Sequence, residues 1–298
     1  MAVVQGTDFN DNLVSPDARA DDTISAFAGD DRIEARGGND TILPGPGNDR
    51  VEGGDGRDAV RVGGSLSEYE IYRFDNEDFL RGPEGILRGP EGVDVLIDVE
   101  AVESQTQADG TLELRSAQEF PALSYIASHE DLAATFGPNE RSGWDHFRDF
   151  GAIEGRQITF DALDYVASHG DLIAAFRGDG QQEAIENDGA FHYILHGRGE
   201  GRETTFDGLQ YVASNGDLIA AYKGLGDMEA ISDAGALHYI VNGVTEGRQP
   251  DQFNEASYAL LNPDVLAAGL TTPDDLAMHW IQYGAAEGRL GAYDPLIG

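Results

Sequence analysis

The sequence has no cysteine and few basic residues, and each shortage excludes a class of structure or partner. Without cysteine, neither a disulfide framework nor a thiolate metal site can form. The 55 acidic residues outnumber the 19 basic ones and give a formal charge of -36. This charge argues against nucleic acid or an anionic membrane surface as a partner, and it favours cations.

Long apolar runs are also missing. No stretch of about 18 apolar residues occurs, so we expect no membrane span. The start, residues 1–6, has neither a basic flank nor an apolar run of signal-peptide length. Composition therefore leaves cytoplasmic residence, or export by a route that reads an uncleaved C-terminal signal.

A nine-residue repeat occupies the first fifth of the chain. Aspartate followed two residues later by an aliphatic residue recurs at this step, at Asp22, Asp31, Asp40, Asp49 and Asp58. An earlier copy, Asp11 with Leu13, is offset by two inserted residues. Glycine stands two residues before each of the last four aspartates, at Gly29, Gly38, Gly47 and Gly56.

The repeat predicts a parallel β-roll. Each copy divides into a glycine-bearing turn and a short strand with one aliphatic side chain pointing inward. Every second turn then lies on the same side, about 4.8 Å from the last. Calcium–oxygen bonds are about 2.4 Å, so an ion fits between two stacked turns, held by Asp carboxylates and main-chain carbonyls. An acidic surface loop without metal would need neither the period nor the buried aliphatic residue.

Residues 6–61 resemble the RTX, or haemolysin-type, calcium-binding repeat, whose pattern is Gly-Gly-x-Gly-x-Asp-x-aliphatic-x. The fullest copy is residues 53–61. The resemblance implies about three to four bound Ca²⁺ ions and turn backbone at the four glycines. It also implies type I secretion to the cell surface or the extracellular space, without a cleaved signal peptide. The implied ligand pairs are Asp22 with Asp40, Asp40 with Asp58, Asp31 with Asp49 and, at a less regular spacing, Asp11 with Asp31.

Several copies depart from the pattern. Phe9 and Ala20 replace the turn glycine in the first two copies, and Pro44 and Pro46 lie in the fifth. We therefore expect three sites to be better formed than a fourth.

Residues 65–117 predict a small β cap or connector. Alternation in residues 69–72 and 93–99 is typical of half-buried strands, and residues 82–85 and 89–92 predict turns. The segment ends at residues 109–112 and is similar to the short β segment that follows such rolls in secreted proteins. Its expected role is to cover the open edge of the roll.

Residues 118–298 contain a longer repeat in four copies, aligned on Tyr125, Tyr165, Tyr211 and Tyr258. Each copy has a His followed five residues later by Gly, and each ends in Glu-Gly-Arg. We predict about three short helices per copy, stable only when stacked on the neighbouring copies. The units resemble helical repeats attached to secreted RTX-type proteins.

Three residue types in these copies carry a structural interpretation. The acids Asp131, Asp171, Asp217 and Asp264 should begin equivalent helices. The glycine five residues after each His is a candidate for the residue that ends a helix. We interpret the repeated His as a packing and hydrogen-bonding residue, and the repeated Arg as an ion-pair partner of the repeated Asp. A ligand-binding Arg and a solvated Arg are the alternatives.

The fold class is therefore multidomain. It comprises a calcium-binding parallel β-roll (residues 1–64), a β cap (65–117) and an all-α domain of four helical repeats (118–298). We find no catalytic motif, and since the roll begins at residue 6 we expect no upstream catalytic domain. We expect a non-enzymatic protein that assembles with itself, in a calcium-dependent way, into a surface layer, filament or matrix. A calcium-dependent adhesin that recognises a cell-surface polysaccharide or protein is the alternative.

Overall fold

The computed structural model describes residues 1–17, 19–74, 84–104, 113–115, 118–178 and 180–291. Residues 82 and 83 of the turn predicted at 82–85, and the segment end at 109–112, lie outside these residues, whereas Glu84 and Gly85 begin a strand. The chain divides into two compact units: unit 1 is Met1–Ala122 with Asn139–Gln157, and unit 2 is Leu123–Pro138 with Ile158–Gly298. None of the described helices is long and apolar enough to cross a membrane.

Unit 1 is built mainly from short strands. A 3₁₀ helix, Leu66–Glu68, follows the first nine of them. The strands are β1 Val3–Gln5, β2 Asn12–Val14, β3 Thr23–Ser25, β4 Arg32–Glu34, β5 Gly37–Gly38, β6 Thr41–Leu43, β7 Arg50–Glu52, β8 Asp55–Gly56, β9 Ala59–Val62, β10 Glu70–Phe74, β11 Glu84–Gly89, β12 Gly92–Ile97, β13 Ala101–Ser104, β14 Glu113–Arg115 and β15 Gln118–Glu119.

Alternate copies of the nine-residue repeat pair in parallel in two sheets. One sheet has the order β1-β3-β6-β9-β13-β14, and the other has β15-β10-β11-β12-β7-β4-β2. The register places Ile24 beside Ile42 and Ile42 beside Val60 in the first sheet. In the second sheet Ile33 lies beside Val51. These aliphatic side chains are fully buried, which is consistent with the predicted β-roll and its thin stacked core.

The segment that follows the repeats continues the parallel pairing. β12 pairs with β7 and places Leu96 beside Val51. β13 pairs with β9 and places Val102 beside Val60. β10 and β11 are antiparallel, and β11 and β12 form a hairpin whose turn is Pro90-Glu91, inside the predicted turn at 89–92. The segment thus adds a parallel strand beside β7 and another beside β9, and this added layer was not predicted. Its role as a cap stays a prediction.

The remaining described residues are mainly helical. The helices are α1 Ala122–Ala127, α2 Glu130–Phe136, α3 Glu140–His146, α4 Ala162–Ala167, α5 Gly170–Phe176, α6 Gln182–His192, α7 Arg198–Glu200, α8 Gly208–Ala213, α9 Gly216–Tyr222, α10 Met228–His238, α11 Val244–Glu246, α12 Glu255–Leu261, α13 Pro263–Ala267, α14 Pro273–His279 and α15 Ala285–Glu287. A 3₁₀ helix follows α9 at Lys223–Leu225. Four π-helical turns are Phe147–Gly151, Tyr193–Gly197, Tyr239–Gly243 and Trp280–Gly284.

The grouping into units differs from the predicted boundary at residue 118. Residues 139–157, which the repeat alignment assigns to the first helical copy, group with the strands of unit 1. The reason is aromatic packing: Phe147 stacks on Phe120 and meets the edge of Tyr72, and Trp144 packs edge-on against Phe120. The predicted limits 1–64, 65–117 and 118–298 stay a prediction about domains.

The glycine that ends the last helix of a copy is not the glycine five residues after the His, as the sequence had suggested. Gly197 and Gly243, five residues after a His, lie inside π-helical turns with helical backbone angles, so this prediction was wrong. A Cβ at Gly197 would lie 2.0 Å from the hydroxyl oxygen of Tyr165, which explains why glycine stands there. The left-handed residue that ends the helix is the glycine of Glu-Gly-Arg, with φ of 69° at Gly201 and 71° at Gly247.

The repeated His and Arg side chains make structural contacts. The hydroxyl oxygen of Tyr165 lies 3.0 Å from His192 Nδ1, and equivalent Tyr–His pairs recur in the third and fourth copies. Arg202 donates to Asp171 at 2.9 Å, and Arg248 donates to Asp217 at 2.7 Å. The fourth copy has the same Arg–Asp pair. These contacts agree with a packing role for His and an ion-pair role for Arg.

Candidate calcium sites

The turns of the repeat segment, residues 1–64, bring main-chain carbonyls into close stacking. Gly47 and Gly56 have φ of 152° and 147°, a region that side chains rarely adopt. A Cβ at Gly47 would lie 1.9 Å from the carbonyl oxygen of Gly29, and one at Gly56 would lie 1.6 Å from that of Gly38. Glycine is therefore required, because each turn sits directly against the carbonyls of the turn before it.

The predicted ligand aspartates form ladders through these turns. In each pair, a carboxylate oxygen of the later aspartate accepts a hydrogen bond from the main-chain N–H of the earlier one, in the neighbouring turn. The structure brings all four predicted pairs together in this way, namely Asp22 with Asp40 (2.7 Å), Asp31 with Asp49 (2.8 Å), Asp40 with Asp58 (2.8 Å) and Asp11 with Asp31 (2.7 Å).

The second carboxylate oxygen of four ladder residues is the clearest sign of a ligand. The Oδ2 atoms of Asp31, Asp40, Asp49 and Asp58 are buried and have no hydrogen-bond partner. Burial raises the pKa of all four carboxyls, and it raises those of Asp49 and Asp58 to about 6. A buried anionic oxygen without a partner is costly, and a bound cation removes that cost.

The donor chemistry of the turns fits Ca²⁺. Among the described residues no three His, Asp or Glu side chains gather into a metal-binding cluster, so each ion would need main-chain oxygens as well. Two carboxylates and several carbonyls form an all-oxygen set with flexible geometry, which calcium accepts at six to eight ligands. The ladder aspartates would hold the ion, and the bound ion would neutralise their charge. The ligand assignment itself stays a prediction.

The N-terminal end of the ladders is closed by nearby polar groups. The carboxylate of Asp22 accepts hydrogen bonds from the Ser15 hydroxyl and the Ala2 N–H, and these bonds lower its pKa. Asp11 Oδ2 accepts from the N–H and the hydroxyl of Thr7, at 2.6 and 2.8 Å. Asp11 and Asp22 therefore differ from the four residues whose oxygen lacks a partner.

The sequence analysis missed two acidic residues that extend the ladders. Asp49 N donates to Asp94 Oδ1 at 3.0 Å, and Asp58 N donates to Glu100 Oε2 at 2.6 Å. A signal for the first was present, because residues 92–96 repeat the pattern Gly-x-Asp-x-aliphatic. It was missed because the intervening β10–β11 segment breaks the nine-residue step.

Parallel strands joined by glycine turns, with a buried aspartate at each turn, are typical of calcium-binding repeat proteins. Residues 18–42 and 44–64 match the family model of the RTX calcium-binding nonapeptide repeat, in four copies. This match confirms the resemblance inferred from the nine-residue spacing, and it supports calcium binding by this segment.

Comparison with individual proteins adds little. No curated protein matches the chain. Among solved structures, the extracellular lipase LipA from Serratia marcescens is similar at 19% identity and a TM-score of 0.17. The alignment covers 38% of this chain and 16% of the lipase chain. A likeness of this size carries no argument about function.

Proposed function

We propose that this chain is a non-enzymatic, calcium-binding extracellular protein that assembles with itself into a surface layer, filament or matrix once calcium has ordered its repeats. The buried aspartate oxygens without partners are the observation that carries the calcium dependence. The assembly is supported by the exposed edge of the first coil, which is the part of the repeat segment that contains strands β1 and β2.

Calcium supplies stability that the repeat core lacks. Each coil buries few aliphatic side chains while it brings acidic side chains together, so the segment without metal has weak packing and strong repulsion. Extracellular calcium modules have dissociation constants of about 10⁻⁴ to 10⁻³ M. The segment would therefore stay loose in a calcium-poor cytoplasm and fold after export.

The first coil supports contact with a second copy of the chain. Among the described strands, β1 and β2 each lie at one end of their sheet, so their outer main-chain groups are available for pairing. Val3 and Phe9 in this coil are 67% and 77% exposed. An edge strand joined to the edge of another molecule is a common mode of association.

Electrostatic repulsion makes this association calcium-dependent. The charge of -36 keeps calcium-free chains apart at low salt. Three or four bound ions offset only about 6 to 8 charges, so ordering of the edge strands must contribute as well. Magnesium demands strict octahedral geometry and should substitute poorly.

A calcium titration of the purified chain, followed by light scattering and negative-stain microscopy, tests the assembly. We expect ordered assemblies at millimolar calcium and none with magnesium. The double variant Val3→Asp with Phe9→Asp should bind calcium but stay monomeric. A control with the same added charge, Leu260→Asp with Leu290→Asp, should still assemble.

The competing hypothesis is a non-enzymatic binding module for a cell-surface polysaccharide or protein. Exposed aromatic side chains in unit 2, such as Phe191 and Tyr283, support it, because aromatic faces stack on sugars and anchor protein contacts. If the chain stays monomeric at several millimolar calcium and high protein concentration, the binding-module hypothesis replaces the assembly proposal.

A further inference from the structure

We propose one further calcium site, between the turn of residues 44–49 and the hairpin turn of residues 89–94. The second turn lies outside the segments that match the repeat family. The inference rests on the proposed calcium binding of the repeat segment and adds a site whose ligands come from the covering strands.

The backbone of the hairpin turn reproduces that of a repeat turn. Gly92 has φ of 137°, and a Cβ there would lie 1.8 Å from the carbonyl oxygen of Gly47. The same relation joins Gly47 to Gly29, at 1.9 Å. Gly47 and Gly92 also form a parallel β-bridge. The carbonyls of the 44–49 turn are therefore covered here as they are between two repeats.

The main-chain hydrogen bonds between the two turns are also those of a repeat pair. Gly47 N donates to the carbonyl of Glu91 at 2.8 Å, as Gly29 N donates to Pro46 at 3.0 Å. Val95 N donates to the carbonyl of Asp49 at 2.8 Å. In the repeats, Arg50 N makes the equivalent bond to Asp31, also at 2.8 Å. The hairpin therefore stacks on the repeat turn in the same register.

The carboxylates complete the comparison. Asp94 Oδ1 accepts from Asp49 N at 3.0 Å, just as Asp49 Oδ1 accepts from Asp31 N at 2.8 Å. Asp94 is 6% exposed and Asp49 is 2% exposed. Asp49 Oδ2 is buried without a hydrogen-bond partner. Two buried carboxylates and a layer of carbonyls are the oxygen donors that a hard divalent cation takes.

The second acidic residue that extends the ladders, Glu100, lies on the other sheet and lacks this arrangement. Asp58 N donates to Glu100 there at 2.6 Å, but residues 98–100 alone connect β12 to β13. Asp98, with φ of 52°, makes the turn, so there is no second glycine-bearing loop of carbonyls. The inference is therefore confined to Asp49 and Asp94.

Calcium stoichiometry of the full chain, measured by equilibrium dialysis and calorimetry, tests the site. Asp94→Asn keeps the oxygen that accepts from Asp49 N but removes the charge, and it should bind one ion fewer than the unaltered chain. Asp98→Asn removes the same charge four residues away, and asparagine tolerates its left-handed backbone. This control should bind as many ions as the unaltered chain.

A second variant makes the result independent of how Asp94→Asn folds. If the further site exists, Asp49 serves two sites, so Asp49→Asn should lose two ions. A loss of one ion from Asp49→Asn, unchanged binding by Asp94→Asn, or equal losses from Asp94→Asn and Asp98→Asn would overturn the inference. An unaltered chain that binds no calcium would instead overturn the proposed function itself.

Discussion

At the scale of single residues, the repeat segment depends on glycine at positions where no side chain can be accommodated. The close approach of Gly47 to the carbonyl of Gly29 combines with a φ of 152°, so both space and backbone conformation demand glycine. Phe27 and Arg36 occupy left-handed positions, with φ of 74° and 76°, where later copies have Gly45 and Gly54. The third and fourth copies therefore carry more backbone strain than the fifth and sixth.

Gly47→Ala should destabilise the calcium-bound roll by about 2 kcal/mol or more, because strain of about 1 to 3 kcal/mol adds to a backbone clash. Calcium titration followed by far-UV circular dichroism measures it as a higher midpoint or a lost transition. Gly199→Ala is the matched control, since a Cβ there meets nothing within 4 Å and alanine favours a helix. An unchanged calcium midpoint in Gly47→Ala would contradict the close stacking of turns.

The aspartate ladders could be predicted at this scale, but their full length could not. A fixed nine-residue step with inward aliphatic residues determines which aspartates share a side, so the three pairs that are 18 residues apart meet. Asp11 and Asp31 meet as well, although they are 20 residues apart. Asp94 and Glu100 join the ladders through strand pairing that spans the β10–β11 segment. No local period encodes that pairing, although Gly92 and Asp94 carry the local pattern.

At the scale of elements, the helical copies contain acidic contacts that their sequence pattern did not reveal. Asp164 on α4 accepts from the N–H of Gly208 on α8 at 3.1 Å. Burial, followed by the charges of Asp161 and Asp207, raises the pKa of Asp164 well above its usual range. Burial likewise raises the pKa of Asp233 on α10 to about 7. The packed helices therefore hold protons that the unfolded chain would release.

The helices should consequently gain stability as the pH falls from 8 to about 6.5. Below that pH the partly buried histidines, whose pKa burial lowers, bind protons more readily in the unfolded chain and oppose the gain. Protons bound by the folded state favour folding until the unfolded carboxyls, with pKa values of about 4, also become protonated. Urea unfolding followed at 222 nm in EDTA measures this. Asp164→Asn should weaken the pH dependence, whereas the exposed control Asp188→Asn should leave it unchanged. Stability that falls over the same range would show that these carboxyls are ionised in the folded state.

The helix ends mark another limit of prediction from sequence. The repeated His, Gly and Glu-Gly-Arg were recognised, and three short helices per copy were expected. The π-helical turns were not expected. At these turns a tyrosine hydroxyl from another helix lies against a glycine, as at Gly197 and Gly243. A tertiary contact of this kind leaves no periodic signal within the turn.

At the scale of the whole molecule, the repeat segment and unit 2 differ in what is available to stabilise them. The repeat segment has a thin core, with one large aliphatic residue in most strands, and buried carboxylate oxygens without partners. Unit 2 has a continuous apolar core that includes Tyr165, Tyr211 and Tyr258. Packing alone should stabilise the helices, whereas the roll should require bound ions.

Hydrogen exchange of the full chain, read by mass spectrometry, tests this central claim most directly. Amides in residues 1–64 should exchange rapidly in EDTA and slowly in millimolar calcium, because bound ions supply the free energy that holds the coils closed. Magnesium should not restore that protection, and amides in residues 160–290 should be protected equally in all three conditions. Equal protection of residues 1–64 in EDTA and in calcium would contradict the account.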